Sequence, residues 1–177
     1  MQIDLKRLKL IPSSLKLIET EINDFDTFLN LLSVETPDSW PPPLNDEHSQ
    51  KWFLNYIKNN PDKPGWGMWY FILKNSASKD VLIGNGGFKG LPDDAGSVEI
   101  GYSVLERFQK RGFATEATAG LINWAFNHQH VKNIIAHTLV NLRASIRVLE
   151  KNNFKFAGNT DEEGVIRFEL KKSEVSH

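Results

Sequence analysis

The hydrophobic positions change period several times along the chain, and each change marks a predicted element. Residues 8–11 form a short apolar run that predicts a first strand. From the serine pair at 13–14 to about residue 33, apolar side chains recur every three or four positions, which predicts a helix capped by one of the serines. Residues 36–45 hold four prolines and Trp40, so this stretch is predicted as a loop.

The middle of the chain is predicted to switch from helix to strand. Residues 46–59 carry a second apolar stripe at helical spacing, and the prolines that follow end this helix. Three stretches rich in β-branched and aromatic side chains come next, at residues 67–73, 81–88 and 98–105, separated by short polar turns. Consecutive strands with short connections form an antiparallel meander, so we expect one here.

The helical period returns at Ala114, where six side chains fall on one face of a helix that ends near residue 128. The remaining predicted elements are a strand at residues 133–140, a helix at 144–151, and two strands at 154–156 and 165–170. Together these elements predict a mixed α/β fold of the α+β type, in which a mixed, mostly antiparallel and twisted sheet of six to seven strands is flanked by about four helices. Residues 1–177 contain no stretch typical of a linker and are expected to form a single domain.

Composition narrows the kinds of function further. The chain contains no cysteine, which excludes disulfides, thiolate metal sites and cysteine nucleophiles and suits a cytoplasmic location. The net charge of −1 provides no field that would attract nucleic acid or an anionic membrane, so neither is an expected partner. The five histidines are scattered and predict no metal site, and His137 is expected to be an interior residue because it lies inside a predicted strand.

The segment between the third meander strand and the next helix is the strongest candidate for chemistry. It reads QKRGFA over residues 109–114, and the small residues Gly112 and Ala114 leave the backbone amides of about residues 111–115 open at a helix N-terminus. Converging amides and the positive end of a helix dipole bind phosphate, so a phosphate-bearing cofactor is predicted here; an ordinary helix-entry turn is the alternative. No segment matches the Walker A pattern. The glycine run at 84–89 is close to the dinucleotide-binding pattern, but no helix follows it.

The same segment resembles the Q/R-x-x-G-x-G/A signature of the GNAT family of N-acetyltransferases, whose turn amides hold the pyrophosphate of coenzyme A. The preceding VEIGY at residues 98–102 and the later ASIRVLEKNNF at residues 144–154 strengthen the resemblance, which covers nearly the whole chain. It comes nearest to the branch that contains the ribosomal-protein N-terminal acetyltransferases. The resemblance implies a GNAT-like fold and an acyltransferase that moves an acetyl group from acetyl-coenzyme A (acetyl-CoA) to a primary amine by direct attack on the thioester.

The resemblance also implies where acetyl-CoA binds. The amides of residues 111–115 would hold its pyrophosphate, and Lys110 and Arg111 would add positive charge. The pantetheine arm would pair with the strand at residues 102–104, where that strand splays from its neighbour. The implied cofactor-binding residues are Tyr102, Ser103, Val104, Gln109, Lys110, Arg111, Gly112, Phe113, Ala114, Thr115, Asn141 and Ser145.

The last helix departs from the family pattern. Relatives usually carry Asn-x-x-Ser at its start, whereas here Leu142 stands at the asparagine position; Asn141, one residue earlier, either reaches the cofactor or caps the helix. Leu149 replaces a tyrosine that protonates the leaving thiolate in many relatives, which leaves the general acid unassigned. Asn153 replaces a glycine, and asparagine is the next-best residue for the left-handed end of a helix.

Two catalytic residues are implied, Glu99 and Ser103. A glutamate inside a strand needs a reason, because glutamate is depleted in strands. One reason is that Glu99 takes the proton of the amine, directly or through a water, as family members often use a glutamate here. The other is a solvated side chain that pairs across strands with a lysine. Ser103 lies among the amides of residues 102–104, one of which would steady the tetrahedral oxyanion.

The acceptor side is implied only in outline. Trp40 and Trp52 map to the region that shapes the acceptor pocket in relatives, and Trp40 either walls that pocket or anchors its loop. The resemblance leaves open whether the acceptor is a protein N-terminus or a small-molecule amine, and whether the chain forms a homodimer. A second hypothesis is a non-catalytic acyl-CoA-binding sensor or interaction module, which the departures at Leu142 and Leu149 allow.

Overall fold

The computed structural model describes residues 1–35, 37–43 and 45–175, and within these ranges the chain forms nine strands and five α-helices. The strands are β1 (Ile3–Asp4), β2 (Leu8–Pro12), β3 (Val34–Glu35), β4 (Met68–Leu73), β5 (Asp80–Phe88), β6 (Ser97–Val104), β7 (Asn133–Leu139), β8 (Lys155–Asn159) and β9 (Val165–Lys171). The helices are α1 (Leu15–Asn23), α2 (Phe25–Leu32), α3 (Glu47–Asn59), α4 (Phe113–Phe126) and α5 (Arg143–Lys151), with short 3-10 turns at Glu106–Phe108 and Lys172–Glu174. The predicted mixed α/β class is confirmed.

The numbers of strands and helices are higher than predicted. Strands β1 and β3 are two residues long, which is too short to show an alternating pattern. The single helix predicted up to residue 33 is two helices, because Asp24 adopts a non-helical conformation (φ −154°, ψ 79°) between them. The Asp24 carboxylate then caps α2 by accepting hydrogen bonds from the amide (3.2 Å) and the hydroxyl (2.7 Å) of Thr27.

The loop predicted at residues 36–45 is described in part. Its residues Thr36 and Leu44 lie outside the described residues. Residues 176 and 177 at the end of the chain lie outside them as well. The rest of the prediction agrees with the structure, since residues 37–43 contain no helix or strand. The second predicted helix is α3, which begins after Asp46; the carboxylate of Asp46 accepts a hydrogen bond from the amide of Ser49 at 2.8 Å.

All nine strands belong to one sheet, in the order β1-β2-β4-β5-β6-β7-β9-β8, with β3 paired to β5. Strands β4, β5 and β6 pair antiparallel, which confirms the predicted meander. Strands β6 and β7 run parallel and pair only from Ser97–Asn133 to Glu99–Ile135. Because β6 continues to Val104 and β7 to Leu139, the two strands part after Glu99 and leave a gap in the sheet, as the resemblance led us to expect.

Two hydrophobic cores hold the helices against opposite faces of this sheet. On one face α4 packs on β6, and α5 packs on α4 and β7, with Leu121, Leu149 and Ile100 in the shared core. On the other face α1, α2 and α3 cover β4 and β5 around Phe28 and Tyr70. Burial of each large apolar side chain contributes about 1.5–3 kcal/mol, so the two cores fix the positions of the strand ends and of the turn that precedes α4.

Two further features bear on the class of protein. No helix within residues 1–35, 37–43 and 45–175 combines the length and the apolar character that crossing a membrane requires. Over the same residues, no three or more histidine, aspartate or glutamate side chains gather as a metal site would need.

Candidate functional site

The edge of β6 that faces the gap carries backbone groups without a strand partner. The amide of Leu105 donates to the carbonyl of Ile83 in β5 at 2.9 Å. Backbone groups alternate sides along an antiparallel strand. Ser103 therefore also faces β5, whereas the backbone groups of Tyr102 and Val104 face the gap. Of the three residues predicted to pair with a pantetheine arm, two thus present backbone groups at the open edge.

The turn before α4 presents a row of open amides. Gly112 is the N-cap residue of α4 in a left-handed conformation (φ 80°), with no side chain that could cap the helix, and Lys110 is also left-handed (φ 60°). No acceptor among the described residues takes a hydrogen bond from the amides of residues 110–115. These amides sit at the positive end of the α4 dipole, so the turn can bind an anion.

Side chains from three parts of the chain hold this turn in place. Arg7 donates through Nη1 to the carbonyl of Arg111 (3.0 Å) and through Nε to Glu116 Oε2 (2.6 Å), and its guanidinium lies 4.5 Å from the ring centre of Phe113. Gln109 donates through Nε2 to the carbonyl of Val104 at 3.0 Å. Sequence reasoning did not identify Arg7 or its partner, because contacts between residues more than 100 positions apart leave no local pattern.

The comparisons with known proteins identify the fold that places this turn beside the gap. The family model described as "Acetyltransferase (GNAT) domain" matches residues 14–155 of the chain. The chain belongs to the GNAT acetyltransferase family. The predicted membership is therefore confirmed. As a member of this family, the chain is an acetyltransferase.

One relative by sequence and two solved structures are similar to this GNAT protein along most of their length. The uncharacterized N-acetyltransferase YjdG of Bacillus subtilis (strain 168) is 28% identical over 152 residues, which cover 86% of this chain and 88% of the relative. The structure of RimL, a ribosomal L7/L12 alpha-N-protein acetyltransferase in complex with coenzyme A, aligns with a TM-score of 0.68 at 16% identity over 97% of this chain and 98% of the other. The ribosomal-protein-S5-alanine acetyltransferase of Vibrio fischeri aligns with a TM-score of 0.68 at 17% identity over 98% of both chains. These structural likenesses establish the shared fold.

In this GNAT fold Glu99 occupies the last paired position of β6 before the gap. Its Oε1 contacts Nζ of Lys89, the residue that follows the neighbouring strand β5, and lies 3.1 Å from Nδ1 of His137. The cross-strand lysine expected under the second interpretation of Glu99 is therefore present, yet the side chain stays 20% exposed. The prediction that His137 is an interior residue is wrong, because the odd-numbered residues of β7 lie on the more exposed side of the sheet and only the even-numbered ones enter the core.

Ser103 lies against the loop of residues 37–43. Its hydroxyl donates to the carbonyl of Pro43 at 2.5 Å, and an ion pair between Arg107 and Asp38 ties the same loop to the end of β6. The Ser103 side chain thus holds the loop, and its catalytic role stays a prediction. Between Ser103 and Glu99 the strand carries Gly101, where an added Cβ would meet nothing within 4 Å. Open space therefore lies on this face of β6, next to the carboxylate.

Tyr102 joins β6 to α5. Its hydroxyl donates to the carbonyl of Ser145 at 3.0 Å and lies 3.2 Å from the Ser145 hydroxyl. Burial raises the pKa of Tyr102 to about 12, against the smaller lowering effect of Ser145. Asn141 does not cap α5, because the N-cap residue is Leu142 and it makes no side-chain capping bond. Asn153 has the left-handed conformation expected of it (φ 63°).

The raised pKa of Tyr102 predicts a loss of stability at alkaline pH. The folded state favours the neutral phenol, so its contribution is complete below the unfolded value of about 10 and disappears as the pH rises through about 12. Between these values the wild type should lose roughly 2–3 kcal/mol of unfolding free energy more than Tyr102→Phe does. Urea unfolding of both proteins from pH 9 to pH 12 measures this, and parallel pH curves would contradict it.

Trp40 is attached to α1 through a buried carboxylate. Glu21 is 6% exposed, and it accepts hydrogen bonds from the Trp40 indole (2.9 Å) and from the Tyr70 hydroxyl (2.6 Å). Trp40 therefore anchors the loop of residues 37–43, which was one of its two predicted roles; its part in an acceptor pocket stays a prediction. Trp52 stacks on Tyr56 at 5.4 Å and is 39% exposed.

Glu21 also predicts a pH effect on stability. Burial raises the pKa of the Glu21 carboxyl despite the hydrogen bonds from Tyr70 and Trp40. A raised carboxyl pKa gives stability that is complete below the unfolded value and is lost as the pH rises through the folded value. Glu21→Gln should therefore gain unfolding free energy relative to the wild type as the pH rises from 4 to 8. Urea unfolding of both proteins across this range measures the difference, and a difference that stays constant with pH would contradict the prediction.

Proposed function

We propose that this GNAT protein transfers an acetyl group from acetyl-CoA to a primary amine, either at a protein N-terminus or on a small molecule. The observation that carries the proposal is the turn of residues 110–115, whose open amides lie at the positive end of α4 and follow directly on the open edge of β6. Coenzyme A, which the RimL structure contains, has a diphosphate for such a turn and an extended amide-bearing arm for such an edge.

The described residues fit this ligand at both ends of the site. The amides of residues 111–115 would hold the diphosphate, with Lys110 and Arg111 exposed beside them. The backbone of Tyr102 would bond the arm, as would the amide of Val104, whose carbonyl is already occupied by Gln109. Acetyl-CoA supplies the thioester carbonyl that the amine attacks.

Glu99 would handle the proton. A primary amine reaches the site protonated at neutral pH and must lose a proton to become a nucleophile. The carboxylate of Glu99 is partly exposed, sits where the strands part and borders the open space at Gly101, so it can take this proton directly or through a water. The open-edge amide at Tyr102 or Val104 can donate to negative charge that develops on the carbonyl oxygen.

No general acid is needed to complete the transfer. Leu149, which stands where many relatives carry a tyrosine, is fully buried in the core. A thiol has an ordinary pKa near 8.5, so the thiolate is a good leaving group and needs no proton while the carbon–sulfur bond breaks. The reaction suits the cytoplasm because the chain has no cysteine that an oxidising compartment would pair.

Calorimetry and thiol release together test the proposal. Acetyl-CoA is titrated into the protein, and the release of coenzyme A thiol is then followed with a panel of small amines and N-terminal peptides. We expect heat of binding and, with at least one acceptor, thiol release matched by a product heavier by one acetyl group. Binding without release by any acceptor would favour the non-catalytic sensor, and absence of binding heat would contradict both.

A further inference from the structure

Both partners of Glu99 contact the same carboxylate oxygen. Nζ of Lys89 and Nδ1 of His137 each approach Oε1, the latter at 3.1 Å. No described residue donates a hydrogen bond to Oε2. The carboxylate is therefore held on one side, and its second oxygen remains available to a ligand.

His137 stands at the mouth of the gap. Glu99 and Ile135 form the last residue pair of β6 and β7, so His137 and Gly101 are the next residues on the same face of the two diverging strands. The space above Gly101 is open. The carboxylate, the imidazole and this space therefore border the same point of the gap.

We propose that His137 is a positioning residue for Glu99, which it orients so that Oε2 faces the open space at Gly101 where the amine arrives. The proposal rests on the proposed acetyl transfer with Glu99 as the proton acceptor. Nδ1 approaches Oε1 to 3.1 Å, so the tautomer that carries its hydrogen on Nδ1 would place that hydrogen beside the carboxylate. Proton transfer requires about 2.6–3.2 Å between the exchanging atoms, so a carboxylate with a fixed orientation is a better acceptor than a freely rotating one.

His137 fixes the carboxylate more firmly than Lys89 does. The Lys89 side chain is 56% exposed and ends on a flexible four-carbon stem, whereas the His137 side chain is 29% exposed and has two torsions on a strand that pairs with β9 throughout. An exposed lysine–carboxylate pair contributes about 0–1 kcal/mol because ordering the stem costs entropy. The orientation of Glu99 therefore depends on the imidazole.

The test compares three single variants and one double variant by thiol release. His137→Leu removes the donor, whereas His137→Asn keeps an amide donor at the position of Nδ1 but cannot gain a charge. Turnover of His137→Leu should fall roughly 10- to 100-fold with an unchanged KM for acetyl-CoA. His137→Asn should recover most of this loss. Equal losses in the two variants, or wild-type turnover in His137→Leu, would overturn the proposal.

A double-variant cycle separates this proposal from the assignment of Glu99. If His137 acts through Glu99, the pair Glu99→Gln with His137→Leu should turn over as slowly as Glu99→Gln alone, because the effects of residues that act as a unit do not add. Multiplied losses would reject the positioning role and leave Glu99 as the base. Wild-type turnover in Glu99→Gln would instead reject the proton acceptor itself, whatever His137 does.

Discussion

Glu99→Gln should lower the turnover number by about 100-fold or more, because loss of a positioned general base typically costs 10²–10⁴-fold in rate. The substitution keeps the shape of the side chain and an oxygen that can accept from Lys89 and His137, so it removes the capacity to take a proton without removing the contacts. Initial rates of thiol release at saturating acceptor measure the loss. The affinity for acetyl-CoA, measured by calorimetry, should stay within about twofold. The diphosphate would bind at the turn before α4, and Glu99 is not part of that turn.

Glu169→Gln provides the matched control for this expectation. Glu169 is a half-buried carboxylate on the same face of the sheet, opposite Ile135 on β9, and it pairs with Arg167. It lies on the far side of β7 from the edge of β6. Its replacement should change turnover by no more than about twofold. If the two variants lost turnover equally, the loss would come from removing a negative charge on this face of the sheet and not from removing a proton acceptor at Glu99.

The elements that the sequence predicted correctly are those whose signals are local. The meander follows from runs of β-branched and aromatic side chains with short turns between them, and α4 follows from six side chains on one helical face. Asp24 shows where such signals stop: the apolar spacing runs through it, and only its own capping bonds to Thr27 divide the predicted helix. A periodic pattern records which face of an element is apolar but not whether the backbone is continuous.

The candidate site divides in the same way. The open amides after Gln109 were predictable because glycine, a small residue and a helix start are neighbours in the sequence. The surroundings of Glu99 were not, because they depend on which strand lies beside β6 and on where the two part. The prediction for His137 is wrong because the sequence predicts the strand but does not show which of its two faces packs on the core. Its neighbours Ala136 and Thr138 turned out to be the buried ones.

Gly112→Ala should weaken acetyl-CoA binding by roughly 10- to 100-fold. Gly112 has φ +80°, and a residue with a Cβ in a left-handed conformation costs about 1–2 kcal/mol. An added Cβ would meet only the flexible end of Arg7, at 3.4 Å, so conformation and not space is the obstacle. The turn relieves the strain by rotating Gly112, and the amides of residues 111–115 then no longer converge on one anion. Calorimetric titration with acetyl-CoA measures the affinity.

Gly164→Ala carries the same conformational cost at a distance from the turn. Gly164 has φ +79°, lies in the β8–β9 connection, and an added Cβ there would meet nothing within 4 Å. Both variants should therefore lower the Tm, since each replaces a glycine with a positive φ. Only Gly112→Ala should lose affinity for acetyl-CoA, because only Gly112 shapes the row of open amides. Equal affinity in the two variants would mean that the diphosphate is held elsewhere, and the assignment of the turn before α4 as the cofactor site would then be wrong.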